Sequence, residues 1–140
     1  MTWIVTANSN SCRIYRLDKS VEEITLIKEM NHVENNVATD KAGHYQADGT
    51  SGGSYSPHTD PKTVEMNDFA REIAHTLNQG RNQNVYQHLI LIASSHMSGL
   101  LHEHLDKHVA ALINTKIQKD VMPLSQHEFI KFLIKNNVHV

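Results

Sequence analysis

The spacing of apolar positions changes character along this chain, and each change marks an element. Thr2–Asn8 (TWIVTAN) is a short run of β-branched and aromatic residues and predicts a strand. Asn8-Ser9-Asn10 is turn chemistry. Cys12–Asp18 alternates and predicts a second strand, hairpinned to the first. Glu23–Met30 sets Ile24, Leu26 and Met30 against Thr25, Ile27 and Glu29, a third strand that completes an antiparallel meander. From Asn31 to Pro57 apolar periodicity disappears, which inside a compact domain points to a functional loop. Asp60-Pro61 then starts a helix, because proline at the first helical position has no N–H to leave unpaired. Met66, Phe69, Ala70, Ile73, Ala74 and Leu77 form its buried stripe, and Gly80 is the expected stop.

His88–Ala93 (HLILIA) is nearly all apolar and predicts a strand buried on both faces. Ser94 and Ser95 lead through His96 into a helix over Ser98–Val109, with Leu100, Leu101, Leu105, Val109 and Leu112 inward. Ile113–Ile117 alternates as a more exposed last strand. Ser125-Gln126-His127-Glu128 is a capping box ahead of the Phe129, Ile130, Leu133, Ile134 stripe. The order β-β-β-α-β-α-β-α predicts one α/β domain, a mixed sheet covered by helices.

Composition narrows the picture further. A chain of 140 residues fits one domain with a substantial core. Cys12 is the sole cysteine, so neither an internal disulfide nor a thiolate metal cluster is expected. No secretory signal and no run of apolar residues long enough for a membrane span is read, so the expected location is the cytoplasm. The net charge of -2 argues against a strongly basic nucleic-acid binder but leaves room for a local basic patch. Protonating all 11 histidines would carry that charge to +9 (-2 + 11).

In this order and spacing several short pieces resemble the bacterial host attachment family, proteins required for attachment to host cells. They are WIVTANSNSCRIYRLD, His32 with Asp40-x-x-Gly43, Thr59–Lys62 (TDPK), Phe69-Ala70-Arg71-Glu72, LILIAS with Gly99-Leu100-Leu101, and Lys119-Asp120. That family is similar to the middle, catalytic domain of archaeal and eukaryotic class-I release factors. The resemblance implies an RNase H-like fold over residues 1–140. Release factors carry Gly-Gly-Gln on a loop before a helix; here Gly52-Gly53-Ser54 precedes the helix at Pro61. Ser54 offers a hydroxyl where the glutamine amide works on the peptidyl ester. Two cations often found in the family stand here as His44, after Gly43, and His102. Any phosphate binding that they support should depend on pH.

The residues carry other chemistry more weakly. Asp18, Asp40, Asp60 and Asp120 are scattered, not clustered as a two-metal nuclease requires. His104 and His108 are four apart and would share a helix face, with His102 nearby, but no zinc-ligand spacing is present. Ser94-Ser95-His96 lacks a nucleophile elbow and reads as a turn. Arg13, Arg16, Lys19, Lys116 and Lys119 would form a basic rim for RNA phosphates, with Tyr15, Tyr45 and Tyr55 as stacking groups. The reading is a binding module for ribosome, tRNA or another RNA that uses the Gly43–Pro57 loop, without peptidyl-tRNA hydrolysis and without a cofactor or metal. Its candidate ligand-binding residues are Asp40, Gly43, His44, Gly52, Gly53, Ser54, His58, Asp60, Lys62 and His102. A host-interaction or adhesion factor is the alternative. A hydrolase using His44, His58 or Asp60, or a metal-dependent nuclease, comes after it.

Overall fold

The first strand, β1 (Thr2–Ala7), is the seam of the molecule. It pairs antiparallel with β2 (Ser11–Leu17), from Thr2↔Leu17 to Ala7↔Cys12. On its other side it pairs parallel with β4 (His88–Ala93), from Thr2↔His88 to Ala7↔Ala93. With β3 (Thr25–Asn31) outside β2 and β5 (Ile113–Gln118) outside β4, the five-stranded sheet runs β3-β2-β1-β4-β5. The computed structural model describes residues 1–32 and 61–138. Within them the helices are α1 (Pro61–Asn82), α2 (Ser95–His104), α3 (Lys107–Ala110) and α4 (Gln126–Lys135). This is the α/β, RNase H-like arrangement that the resemblance implies.

Strand alternation sends side chains into two separate cores. Val5, Ala7, Cys12, Ile14, Leu89 and Leu91 meet Phe69, Ile73 and Leu77 of α1 and Met97 and Leu101 of α2. Ile4, Tyr15, Leu17, Ile90 and Ile92 face the other way, onto Phe129 and Leu133 of α4. The layers are therefore helix, sheet, helix. β4 lies between β1 and β5 with both faces covered, which is why HLILIA has almost no polar residue. Each fully buried Ile or Leu on the α1 stripe contributes roughly 1.5–3 kcal/mol of transfer free energy.

Three expectations need correction. Helix α1 does not stop at Gly80 but continues to Asn82, and the chain reverses at Asn84, whose φ is 57°. Gly80 is there because the helix approaches Trp3 and Tyr86 closely. The helix expected over Ser98–Val109 is two helices. Leu105 is extended (φ -73°, ψ 138°), and the Asp106 carboxylate accepts the His108 N–H at 2.9 Å to start α3. The third strand begins at Thr25, after a 3₁₀ turn over Val21–Glu23, so Glu23 belongs to the turn. Of its expected inward positions Ile24, just before the strand, and Met30 are buried, but Leu26 is exposed, as is Ile27, because β3 is an edge strand. The Ser125–Glu128 capping box is present in both directions.

Candidate functional site

β1, β4 and β5 are parallel, so Ala7, Ala93 and Gln118 end at the same edge of the sheet. In open α/β sheets, ligands bind outside the carboxyl ends of the strands. Here Asn8 organises that edge. Its Oδ1 accepts the backbone N–H groups of Asn10 (2.8 Å) and Ser11 (2.9 Å), forming the turn into β2. Its Nδ2 donates to both carboxylate oxygens of Asp120, each at 3.2 Å. Asp120 also accepts the Met122 N–H at 3.0 Å, so its oxygens are committed to structure. The Ser94 N–H donates to the Ala7 carbonyl, and the Lys119 N–H to that of Ala93.

His32 closes the same edge from the β3 side. Its N–H donates to the Asn10 carbonyl at 2.8 Å. Its ring Nε2 is 3.3 Å from Glu65 Oε1, and the ring lies 5.6 Å from that of Phe69, both on the first turns of α1. The described chain breaks off after His32 and resumes at Pro61, on either side of the stretch that carries Asp40, Gly43, His44, Gly52, Gly53, Ser54, His58 and Asp60. Those residues themselves, with Tyr45 and Tyr55, lie outside the described residues. Lys62 is in the first turn of α1, and its side chain lies outside the described residues.

The topology separates several groups that the sequence suggests together. Asp18 follows β2, which is antiparallel to β1, so it sits at the opposite end of the sheet from Asp120. Among the described residues no group of three or more His, Cys, Asp or Glu side chains is placed to hold a metal ion. The helix break at Leu105 puts His104 and His108 on different helices, and His104 Nε2 instead meets Asn67 Oδ1 of α1 at 2.8 Å. Ser94 is the cap position of α2, the turn expected of it. Tyr15 is largely buried, its ring 5.0 Å from that of Phe129.

The five-residue basic rim divides in the same way. Arg13 Nε bonds Glu29 at 3.1 Å and Arg16 Nε bonds Asp18 at 2.9 Å. Lys19 lies past the end of β2, away from the Asn8 edge. Lys116 and Lys119, on and just past the edge strand β5, enter no ion pair among the described residues. Lys119 Nζ is 5.6 Å from the centre of the Phe132 ring. Lys116 shares a cavity of about 300 Å³ with His102, floored by Leu91, Leu105 and Ile113. Of the candidate ligand-binding residues, His102 is thus the one whose side chain lies among the described residues, and it lines a cavity with another basic group. Sequence reasoning missed the Asn8–Asp120 link, because 112 residues separate the pair and neither carries a motif.

Residues 3–133 match the model of the family described as "Protein required for attachment to host cells". The chain belongs to this family. As a host attachment family member it is 31% identical over 80 residues to an uncharacterized protein of Rickettsia prowazekii (strain Madrid E). That alignment spans 56% of the chain and 53% of the Rickettsia protein. Its fold is similar to that of the archaeal translation termination factor aRF1, with a TM-score of 0.51 at 8% identity. The similarity covers 97% of the chain and 38% of the factor. At that identity the likeness establishes the fold of this host attachment protein and leaves its chemistry to its own residues.

Proposed function

We propose that this host attachment family member is a cytoplasmic, release-factor-like module that binds ribosome, tRNA or another RNA without hydrolysing peptidyl-tRNA. The observation that carries the reading is the division of the basic residues. Glu29 and Asp18 neutralise Arg13 and Arg16, whereas Lys116 and Lys119 stay available along β5, with His102 beside Lys116. Lys116 and Lys119 are three apart and so face opposite sides of the sheet margin, Lys116 beside His102 and Lys119 over Phe132 of α4. A nucleic-acid backbone crossing the β5 margin would meet both. The Gly43–Pro57 stretch, with Gly52-Gly53, is the second part of the proposed surface by its sequence alone and lies outside the described residues. Ser54 in place of the release-factor glutamine is the reason for proposing binding alone.

The test is tRNA binding and ribosome co-sedimentation across a salt series. Exchanging Lys116 and Lys119 together for glutamate should weaken binding and reduce the slope of log affinity against log salt by about 1.4, the contribution of two single-strand phosphate contacts. Deleting residues 49–56 should weaken binding further. Co-sedimentation unchanged by both alterations overturns the reading. Ser54→Gln should give no gain in peptidyl-tRNA ester release.

The family's description favours a second reading, a direct role at the host surface. Cell fractionation separates the two: recovery on the bacterial surface supports direct attachment, and a wholly cytosolic pool supports the RNA-binding module.

A further inference from the structure

The sheet face under α4 is incompletely covered. α4 packs Phe129 and Leu133 against β1, β2 and β4 but stops short of the outer strand β3, leaving Leu26 47% exposed. Between them lies a cavity of about 270 Å³, distinct from the Lys116 cavity and on the opposite face of the sheet. Its inner wall is apolar, formed by Leu124, Phe129 and the ring of Tyr15. Its polar side carries Arg13 and Glu29 from the sheet and Gln126 from the start of α4.

The polar side is arranged to receive acceptor atoms. Glu29 takes Arg13 Nε at 3.1 Å and the Tyr15 hydroxyl lies against the same guanidinium, which fixes it and leaves its remaining N–H groups for another partner. The capping box uses the Glu128 N–H, while the Gln126 and His127 N–H groups have no intrahelical acceptor. Because Glu29 balances Arg13, the remaining preference for a negative ligand rests on the guanidinium's unused donors. An apolar slot beside that donor set fits a molecule with a flat hydrophobic body and one carboxylate or similar anionic group.

We propose that the cavity between β2–β3 and the start of α4 binds a small aromatic carboxylate, its ring against Phe129 and Leu124 and its carboxylate on Arg13. This site does not rest on the RNA-binding reading: it shares no residue with Lys116, Lys119 or His102, although Lys119, beside Phe132 of α4, is on the same side of the sheet.

Indole-3-acetate is a suitable probe, with indole-3-acetamide as its uncharged counterpart. Titration into the ¹⁵N,¹³C-labelled protein should shift the resonances of Leu124, Gln126 and Phe129 saturably. A Kd on the order of 1 mM is expected from the per-atom binding energy of ligands this small. The amide should bind roughly tenfold more weakly, the value of one charge-assisted hydrogen bond. Arg13→Gln should abolish that preference, and Leu124→Trp, which fills the slot, should remove binding while the remaining spectrum stays folded. The proposal is overturned if the acid and the amide bind equally, if the shifts map elsewhere, or if no saturable shift appears.

Discussion

Gly80 of α1 lies so close to Trp3 of β1 that a Cβ at position 80 would meet the indole at 3.0 Å. The same atom would meet Tyr86 Cε2, also at 3.0 Å. Neither ring can easily yield. Their centroids are 4.7 Å apart, and the Tyr86 hydroxyl donates to the Leu77 carbonyl at 2.6 Å. Gly80→Ala gains about 1 kcal/mol of helix propensity but overpacks this corner by about 1–3 kcal/mol. The net expectation is destabilisation, larger for Gly80→Leu, with the urea midpoint shifting down for both. A stabilised Gly80→Ala protein would show that the rings move freely.

The break between α2 and α3 depends on Asp106. Its side chain caps α3 through the His108 N–H, and its own N–H donates to Asn78 Oδ1 of α1 at 3.2 Å. Asp106→Ala should cost about 1 kcal/mol, the value of a lost cap, whereas Asp106→Asn, which can still cap, should cost much less. Chemical denaturation of the two variants side by side distinguishes a cap from a mere surface charge.

The start of α4 should make stability depend on acid. The Ser125 backbone N–H, then its hydroxyl, holds the Glu128 carboxyl below its ordinary value of 4.5. A lowered folded-state value means that the contribution is complete above that ordinary value and is lost as pH falls through the folded-state one. Glu128→Gln should therefore flatten the acid limb by lowering stability near neutrality by the amount that the wild type loses in acid, and leave stability at low pH almost unchanged. An unaltered acid limb in Glu128→Gln would remove the box from the account.

Cys12 lies under α1, and burial, with a smaller contribution from Glu72, pushes its thiol up to about 12 from 9.0. The raised value keeps the thiol neutral, so its contribution is full below pH 9 and is lost as pH rises toward 12. Native protein at pH 8 should react with a disulfide reagent only at the rate of global opening, and added denaturant should release the thiol at once. Rapid reaction without denaturant would contradict the packed β2–α1 interface.

Several elements were legible because the physics that makes them is local. Ser125-x-x-Glu128 carries its own hydrogen bonds, and the Phe69, Ile73, Leu77 spacing fixes one helix face whatever lies beneath it. Local signals failed where a partner came from far away. Gly80 read as a stop because glycine is the usual C-terminal residue of a helix, yet its role is set by Trp3, 77 residues earlier (80 - 3). Leu105 and Val109 looked like one continuing stripe, and the capping of Asp106, supported by Asn78, divides it. For the site, His102 was legible as the stand-in for a cation often found in the family and as a neighbour of His104 and His108. That it lines one cavity with Lys116 could be seen only in the fold.

By itself the amino-acid sequence determined the kinds of element, their order and the two-faced burial of HLILIA, since periodicity and capping are written within each segment. Only the tertiary structure decided which charges remain available. Arg13 and Lys116 are equivalent as letters, but strand pairing sets Glu29 beside the first. The second is left, with His102, on an edge strand that has no acidic neighbour bonded to it among the described residues. The physical reason is that charge is cancelled or kept by distance in space, which β-sheet registry sets and sequence separation does not.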